Sequence, residues 1–246
     1  MGRCGGGYCL PRIVEILRDE LHLALAEALA GRLWGDRRFA ATPPNMRRIN
    51  DIAFSGDGEP TCLGHFDRAV AAAADARKEF NQDRLKLVVI TNASNLQAPQ
   101  VARALPIIEA NNGEIWAKLD AGTEEYFRRI NRPRGGFTLG AVLDNIKFVA
   151  RTQPVVIQSL FFRIDGSGPT PGELRAYTGR LGEILDSTGR IKLVQVHTIA
   201  RAPADASASA MTDGELDAIA DHVRMSLPDV PVETYYGADV APQQRP

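Results

Sequence analysis

No run in this sequence approaches the ~20 consecutive apolar residues that cross a bilayer as a helix, and no basic-then-apolar leader opens it. A soluble, cytoplasmic protein with no membrane association is therefore the expectation. Cysteine is scarce: three residues in 246, too few for a disulfide framework and in keeping with a reducing compartment. An excess of one charge is also lacking. The 29 basic and 30 acidic residues leave a net charge of −1, which offers no electrostatic footprint for nucleic acid. What is present is 44% hydrophobic residues, enough to bury a full core. One domain over 1–246 is expected, with an N-terminal helix and loop at 1–48, βα units at 49–237 and a tail at 238–246.

Apolar runs alternate with amphipathic stretches from about residue 49 onward. The predicted strands are INDIAFS (49–55), LKLVVIT (85–91), EIWAKLD (114–120), PVVIQSLFF (154–162), IKLVQVH (191–197) and VPVETYY (230–236). Between them lie helical patterns such as FDRAVAAAADARKEF, QVARALPIIEA, GAVLDNIKFVA, GELRAYTGRLGEILD and DGELDAIADHVRMSL. The strands are nearly unbroken Val/Ile/Leu runs, as strands covered on both faces are. Each strand-plus-helix unit has the length of a parallel βαβ crossover. One long amphipathic helix, PRIVEILRDELHLALAEALAGRL, precedes the first strand. This order excludes all-α and all-β folds. It leaves an open doubly wound sheet or a full or partial βα barrel, and both place chemistry at the carboxyl ends of their strands.

Those ends are polar. Lys118 and Asp120 alternate onto one face with Trp116 below them, as Gln195 and His197 do on theirs, and Gln158 sits deep in an apolar strand. Buried polar groups need partners or a ligand, so a polar pocket across the strand ends is expected. The turn FSGDGEPT (54–61) matches the dinucleotide fingerprint only at Gly56 and Gly58. Thr61 replaces the third glycine, Asp57 and Glu59 oppose a pyrophosphate, and no acid ends the next strand. No Gly-Lys-Ser/Thr follows, which removes a P-loop. An acidic glycine turn suits an ammonium instead.

FSGDGEPT resembles the second-strand motif of radical S-adenosylmethionine (SAM) enzymes, a Gly-x-Gly-Glu-Pro turn. The resemblance extends through VVITNAS, EIWAKLDAGTEEYFRRINRP, VVIQSLFFRIDG and RIKLVQVHTIARAP, roughly residues 49–237. It implies an α/β fold, a partial TIM-like barrel of about six βα units whose first strand is missing here. It also implies SAM as cofactor, a [4Fe–4S] cluster, and an electron donor such as flavodoxin or ferredoxin. The chemistry implied is reductive cleavage of SAM to a 5′-deoxyadenosyl radical that acts on an unknown substrate. By the same resemblance Gly56, Asp57, Gly58, Glu59 and Pro60 line the methionine amino group. Thr91, Asn92, Lys118 and Asp120 face SAM or substrate, while Gln158, Ser159, Gln195 and His197 lie across the lumen, Gln158 being a further cofactor-binding candidate. His197 and Lys118 are the catalytic candidates.

The three-cysteine cluster motif of that family, Cys-x3-Cys-x2-Cys, is absent. Cys4 and Cys9 enclose four residues and Cys62 lies far along the chain, so Cys4 and Cys9 are the metal candidates by default. Three explanations stay open: a sequence that starts too late, a degenerate homologue that binds SAM or a protein partner without catalysis, or an unusual cluster. A metal-free phosphate-binding isomerase or aldolase is the other rival, opposed by VETYYGAD where a glycine-rich phosphate loop belongs. Cys62 is expected to be a small buried hydrophobe and His65 a helix cap. His22 and His222 are expected to be satisfied helix residues, and Arg132 and Arg134 to mark a solvated turn. HTIARAPADASASAMTDGE (197–215) is expected to be a loop, either a lid or a slack connection.

Overall fold

The computed structural model describes residues 9–56, 58–133 and 135–237, with side chains from residue 15 onward. Its contacts divide the chain into two units, Met1–Val89 with Ala98–Glu114, and Ile90–Gln97 with Ile115–Pro246.

The first unit opens with helix α1 (Cys9–Leu29), which leads through two short 3-10 turns to strand β1 (Asp51–Phe54). Helix α2 (Phe66–Glu79), strand β2 (Lys86–Thr91) and helix α3 (Pro99–Ala110) follow. β1 and β2 run parallel, with Asp51 opposite Lys86 and Phe54 opposite Val89. α2 is alanine-rich on its inner face, and the small side chains of Ala73, Ala74 and Ala76 let it lie close to Leu85 and Leu87. Arg77 is buried at the end of α2. Its guanidinium donates to the carbonyls of Asp83 and Leu85 at 3.0 Å each and to Asn111 Oδ1 at 3.3 Å, tying the α2–β2 turn to the end of α3. Lys86 pairs with the buried Glu114 at 2.7 Å.

The second unit contains strand β3 (Glu114–Lys118), helices α4 (Glu124–Asn131) and α5 (Leu139–Thr152), and strands β4 (Val155–Leu160) and β5 (Phe162–Ile164). Helix α6 (Pro171–Asp186), strands β6 (Ile191–His197) and β7 (Ala208–Ala210), helix α7 (Asp213–Ser226) and strand β8 (Val232–Tyr235) complete it. β3, β4, β6 and β8 are parallel neighbours in that order. Every helix of this unit begins at a threonine. Thr123, Thr138, Thr170 and Thr212 each accept a hydrogen bond from an amide of the first turn, a cap worth ~1 kcal/mol apiece.

Every predicted strand is found, but PVVIQSLFF breaks in two. The Phe161 amide donates to the His197 carbonyl at 2.8 Å, and the Phe161 ring turns into the core, edge-on to Tyr177 at 5.3 Å. The chain beyond it becomes β5, which pairs antiparallel with β7. Part of the expected 197–215 loop is therefore a strand. Helix α4, which the apolar pattern did not suggest, forms over EEYFRRIN with only Phe127 buried. No helix among the described residues is long and apolar enough to cross a membrane.

Candidate functional site

The acidic glycine turn closes β1. Gly56 has φ 143°, a conformation that excludes side chains, while Asp57 lies outside the described residues. Glu59 precedes a 3-10 turn with Pro60 near its start. Its Oε1 accepts from the Thr61 amide at 3.2 Å and from the Thr61 hydroxyl at 2.6 Å. Thr61 is buried, and its carbonyl accepts from Gln100 Nε2 at 3.2 Å. The half-buried carboxylate is thus held in one orientation by the turn it caps. Cys62, expected to be buried, is exposed, because the cap turns Thr61 rather than its neighbour inward. His65 occupies the residue before α2, yet its side chain makes no capping bond.

In the second unit, Asn92, Lys118 and Asp120 meet at a cavity of about 440 Å³, together with Ser94, Asn131 and the apolar Leu119 and Phe127. Both Asp120 oxygens are occupied, Oδ1 by the Leu160 amide at 2.8 Å and Oδ2 by Asn131 Nδ2 at 2.9 Å. Asn92 Oδ1 accepts from the Ser94 amide at 2.9 Å. Thr91 is buried away from this cavity, and its hydroxyl accepts from the Ala93 amide at 3.0 Å. Ala93 itself sits at φ 59°, a left-handed conformation that costs a non-glycine residue about 1–2 kcal/mol. Asn145 holds it there, donating Nδ2 to the Ala93 carbonyl at 2.8 Å and accepting from Gln97 at 2.8 Å.

Gln158 lies with Gln195 and His197, as grouped on sequence. Its Nε2 donates to Gln195 Oε1 at 3.1 Å, and both line a smaller cavity of about 250 Å³ with Trp116, His197 and Tyr235. Ser159, grouped with them on sequence, alternates to the opposite face. It is fully buried, donating to the Leu119 carbonyl at 2.6 Å and accepting from the Tyr177 hydroxyl at 2.6 Å. Burial pushes the Tyr177 hydroxyl well above the usual phenol range, so that group stays protonated.

His197 faces both the Gln158 cavity and a third cavity of about 740 Å³. Its Nε2 is buried without a hydrogen-bond partner. Burial lowers its pKa, opposed by Asp120 and assisted by Lys118. The imidazole is neutral at pH 7, which suits a base or an acceptor better than a cation. Its folded pKa lies below the unfolded value of 6.5, so the unfolded chain takes up this proton first as pH falls. The stabilising contribution is complete above that value and lost on acidification toward the folded pKa. An NMR titration of the His197 ring should show a midpoint below that of free imidazole, and a higher midpoint would contradict the buried placement.

The segment 198–208 is neither slack nor a free lid. Its ends are joined where Thr198 Oγ1 accepts from the Met211 amide at 2.8 Å, and the Asp165 amide donates to the Ser207 carbonyl at 2.9 Å. Arg132, exposed at the end of α4, pairs with Asp205 at 2.6 Å. Bonds from Ser207, then Arg132, hold the Asp205 carboxyl down at about 2. Such closure of both ends makes an Ω-type loop that forms a wall. Arg129 and Arg201 also line this cavity. Neither was singled out on sequence, although Arg129 and Arg201 stand within the quoted motifs EIWAKLDAGTEEYFRRINRP and RIKLVQVHTIARAP.

Among the described residues no three His, Cys, Asp or Glu side chains gather as metal ligands. Cys4, Arg134 and the side chain of Cys9 lie outside the described residues. The described residues therefore do not fit a [4Fe–4S] cluster. The 440 Å³ cavity has the size of a small-ligand site, with apolar walls from Leu119, Phe127, Phe137 and Val142 and side-chain amides from Asn92 and Asn131.

No protein-family model matches the sequence, and no curated protein matches it significantly. Solved structures do. A radical SAM methyltransferase from Sphaerobacter thermophilus is similar at TM-score 0.56 and 14% identity, over 88% of this chain and 56% of that one. A domain of pyruvate-formate lyase-activating enzyme from Bacteroides vulgatus is similar at TM-score 0.50 and 12% identity, over 75% of this chain and 98% of that one. This chain thus spans little more than half of the methyltransferase. The architecture is the expected one, an α/β partial barrel of the radical SAM kind.

Proposed function

We propose that this chain is a radical SAM superfamily protein whose basic activity is to bind S-adenosylmethionine. The observation that carries the reading is the Glu59 turn. An acid on a glycine turn ends a parallel strand, its carboxylate oriented by Thr61, in a chain sharing its fold with two radical SAM proteins. Gly56, Gly58, Glu59 and Pro60 are proposed to receive the methionine ammonium. Asn92, Lys118 and Asp120 are proposed, independently of that turn, as ligand contacts of the second unit's own cavity, with Lys118 and His197 as the candidates for proton handling. Thr91 acts through the turn it braces. When a cluster is bound, the family's chemistry is reductive cleavage of SAM, with flavodoxin or ferredoxin as the class of electron donor.

Glu59→Gln keeps an oxygen for Thr61 and removes only the charge. A charge-assisted hydrogen bond contributes roughly 1.5–3 kcal/mol, so calorimetry should find SAM bound about tenfold or more weakly by this variant. Unchanged affinity would remove the turn from the site. Anaerobic reconstitution with iron and sulfide then separates two forms of the protein. A low-temperature EPR signal that shifts on adding SAM marks a radical enzyme, and SAM binding with no iron uptake marks a non-catalytic SAM-binding module.

A further inference from the structure

We propose that the cavity of about 740 Å³ beside the 440 Å³ one is an organic-anion site, taking a carboxylate or phosphate monoester on an apolar body through Arg129 and Arg201. As the substrate site of the protein it rests on the SAM-binding reading above. As an anion site it stands on its own geometry.

Charge supports it first. The lining carries three guanidinium groups, Arg129, Arg132 and Arg201, against one carboxylate, Asp205, which leaves an excess of two positive charges. Arg132 is already committed to Asp205 at 2.6 Å. Arg129 and Arg201 make no ion pair with any described residue, so the two uncommitted guanidinium groups are those from α4 and from the Ω loop. Guanidinium is the side chain suited to bidentate recognition of oxyanions.

Shape supports it second. Leu160, Phe162 and Ile164 alternate along the β4–β5 segment and form an apolar wall of the cavity. An ion alone would have no use for that wall, whereas an organic anion would cover it with its body. His197 adds a buried, unpartnered ring nitrogen to the same lining. The Ω loop that supplies Arg201 is pinned at both ends, so the site is largely formed before the anion arrives, which lowers the ordering cost of binding. Asn131 and Arg132 line both cavities, which places an anion here beside any ligand of the Asn92, Lys118 and Asp120 cavity.

The test uses the full chain with 3-phenylpropionate, phenyl phosphate and inorganic phosphate, titrated by calorimetry at low and high salt. One of the two aromatic anions should bind, about tenfold or more tightly than inorganic phosphate, and whichever binds identifies the head group as carboxylate or phosphate. Arg129→Gln and Arg201→Gln should each weaken it roughly tenfold, and the double variant about a hundredfold. High salt should weaken the wild type and leave the double variant nearly unaffected. The SAM affinity and melting temperature of both variants should match the wild type. Failure of both aromatic anions to bind, or equal binding by the double variant, overturns the proposal. Loss of SAM binding in the wild type with anion binding intact would instead sink only the SAM reading.

Discussion

Replacing Gly122 by alanine should destabilise the protein by roughly 3–5 kcal/mol, or prevent folding, as a backbone-on-backbone clash in a packed core does. An added Cβ would lie 2.0 Å from the Tyr177 amide nitrogen, 2.4 Å from the Ala176 carbonyl carbon and 2.6 Å from the Tyr177 Cα. None of these atoms can rotate away, since all belong to the backbone of α6. Relief requires the β3–α4 loop and α6 to separate. That costs the Arg180 Nε bond to the Gly122 carbonyl at 2.9 Å and withdraws Asp120 from its cavity. Gly179 in the same helix is the control, since nothing lies within 4 Å of its added Cβ. Gly179→Ala should stabilise by about 1 kcal/mol through helix propensity alone. Urea denaturation of the two variants checks the pair, and two shifts of the same sign would refute the close approach.

The second large effect belongs to Glu173. This buried carboxylate accepts from the Gly122 amide at 2.5 Å and the Thr123 amide at 3.2 Å through Oε1, and from the Thr123 hydroxyl at 2.6 Å through Oε2. The same Thr123 hydroxyl accepts from the Tyr126 amide and so caps α4. Glu173→Ala leaves two amides and a hydroxyl without their acceptor, at about 1–3 kcal/mol for each group left unsatisfied in the interior. The expected loss is therefore about 4 kcal/mol. Glu173→Gln retains the Oε1 acceptor, and the Thr123 hydroxyl can turn to accept from the new amide, so its loss should be about 1–2 kcal/mol. Similar losses below 1 kcal/mol in both variants would show that this junction is not held by the carboxylate.

How much of this was legible beforehand follows from where each feature gets its energy. The strands announced themselves as Val/Ile/Leu runs, and the threonine caps of α6 and α7 stand in TPGE and TDGE, because burial patterns and caps are local. Helix α4 was not visible, since a helix of eight residues burying only Phe127 has too short an apolar stripe to read. The β5–β7 ribbon was invisible for another reason. Ile164 and Ala208 are opposite each other, and no short window of sequence contains both. The strand-end rule rightly singled out Asn92, Lys118 and Asp120 as neighbours at one cavity. It also grouped Gln158 with Gln195 and His197, which share the smaller cavity, but it did not set Ser159 apart on the reverse face against Tyr177, because a strand end says which residues are high and not which elements meet them.

By itself, then, the sequence determined the order of the six parallel strands and the longer helices between them, the α/β class and the acidic glycine turn after β1. Hydrophobic period, capping residues and a glycine-only backbone angle are properties of a few consecutive residues. Only the tertiary structure decided that Glu59 is aimed by Thr61, that Asp120 is spent on Leu160 and Asn131, and that His197 is neutral. It alone brought Arg129 and Arg201 to one cavity. Orientation, desolvation and net charge in a cavity are sums over groups distant in the chain, and they exist only once folding has put those groups side by side.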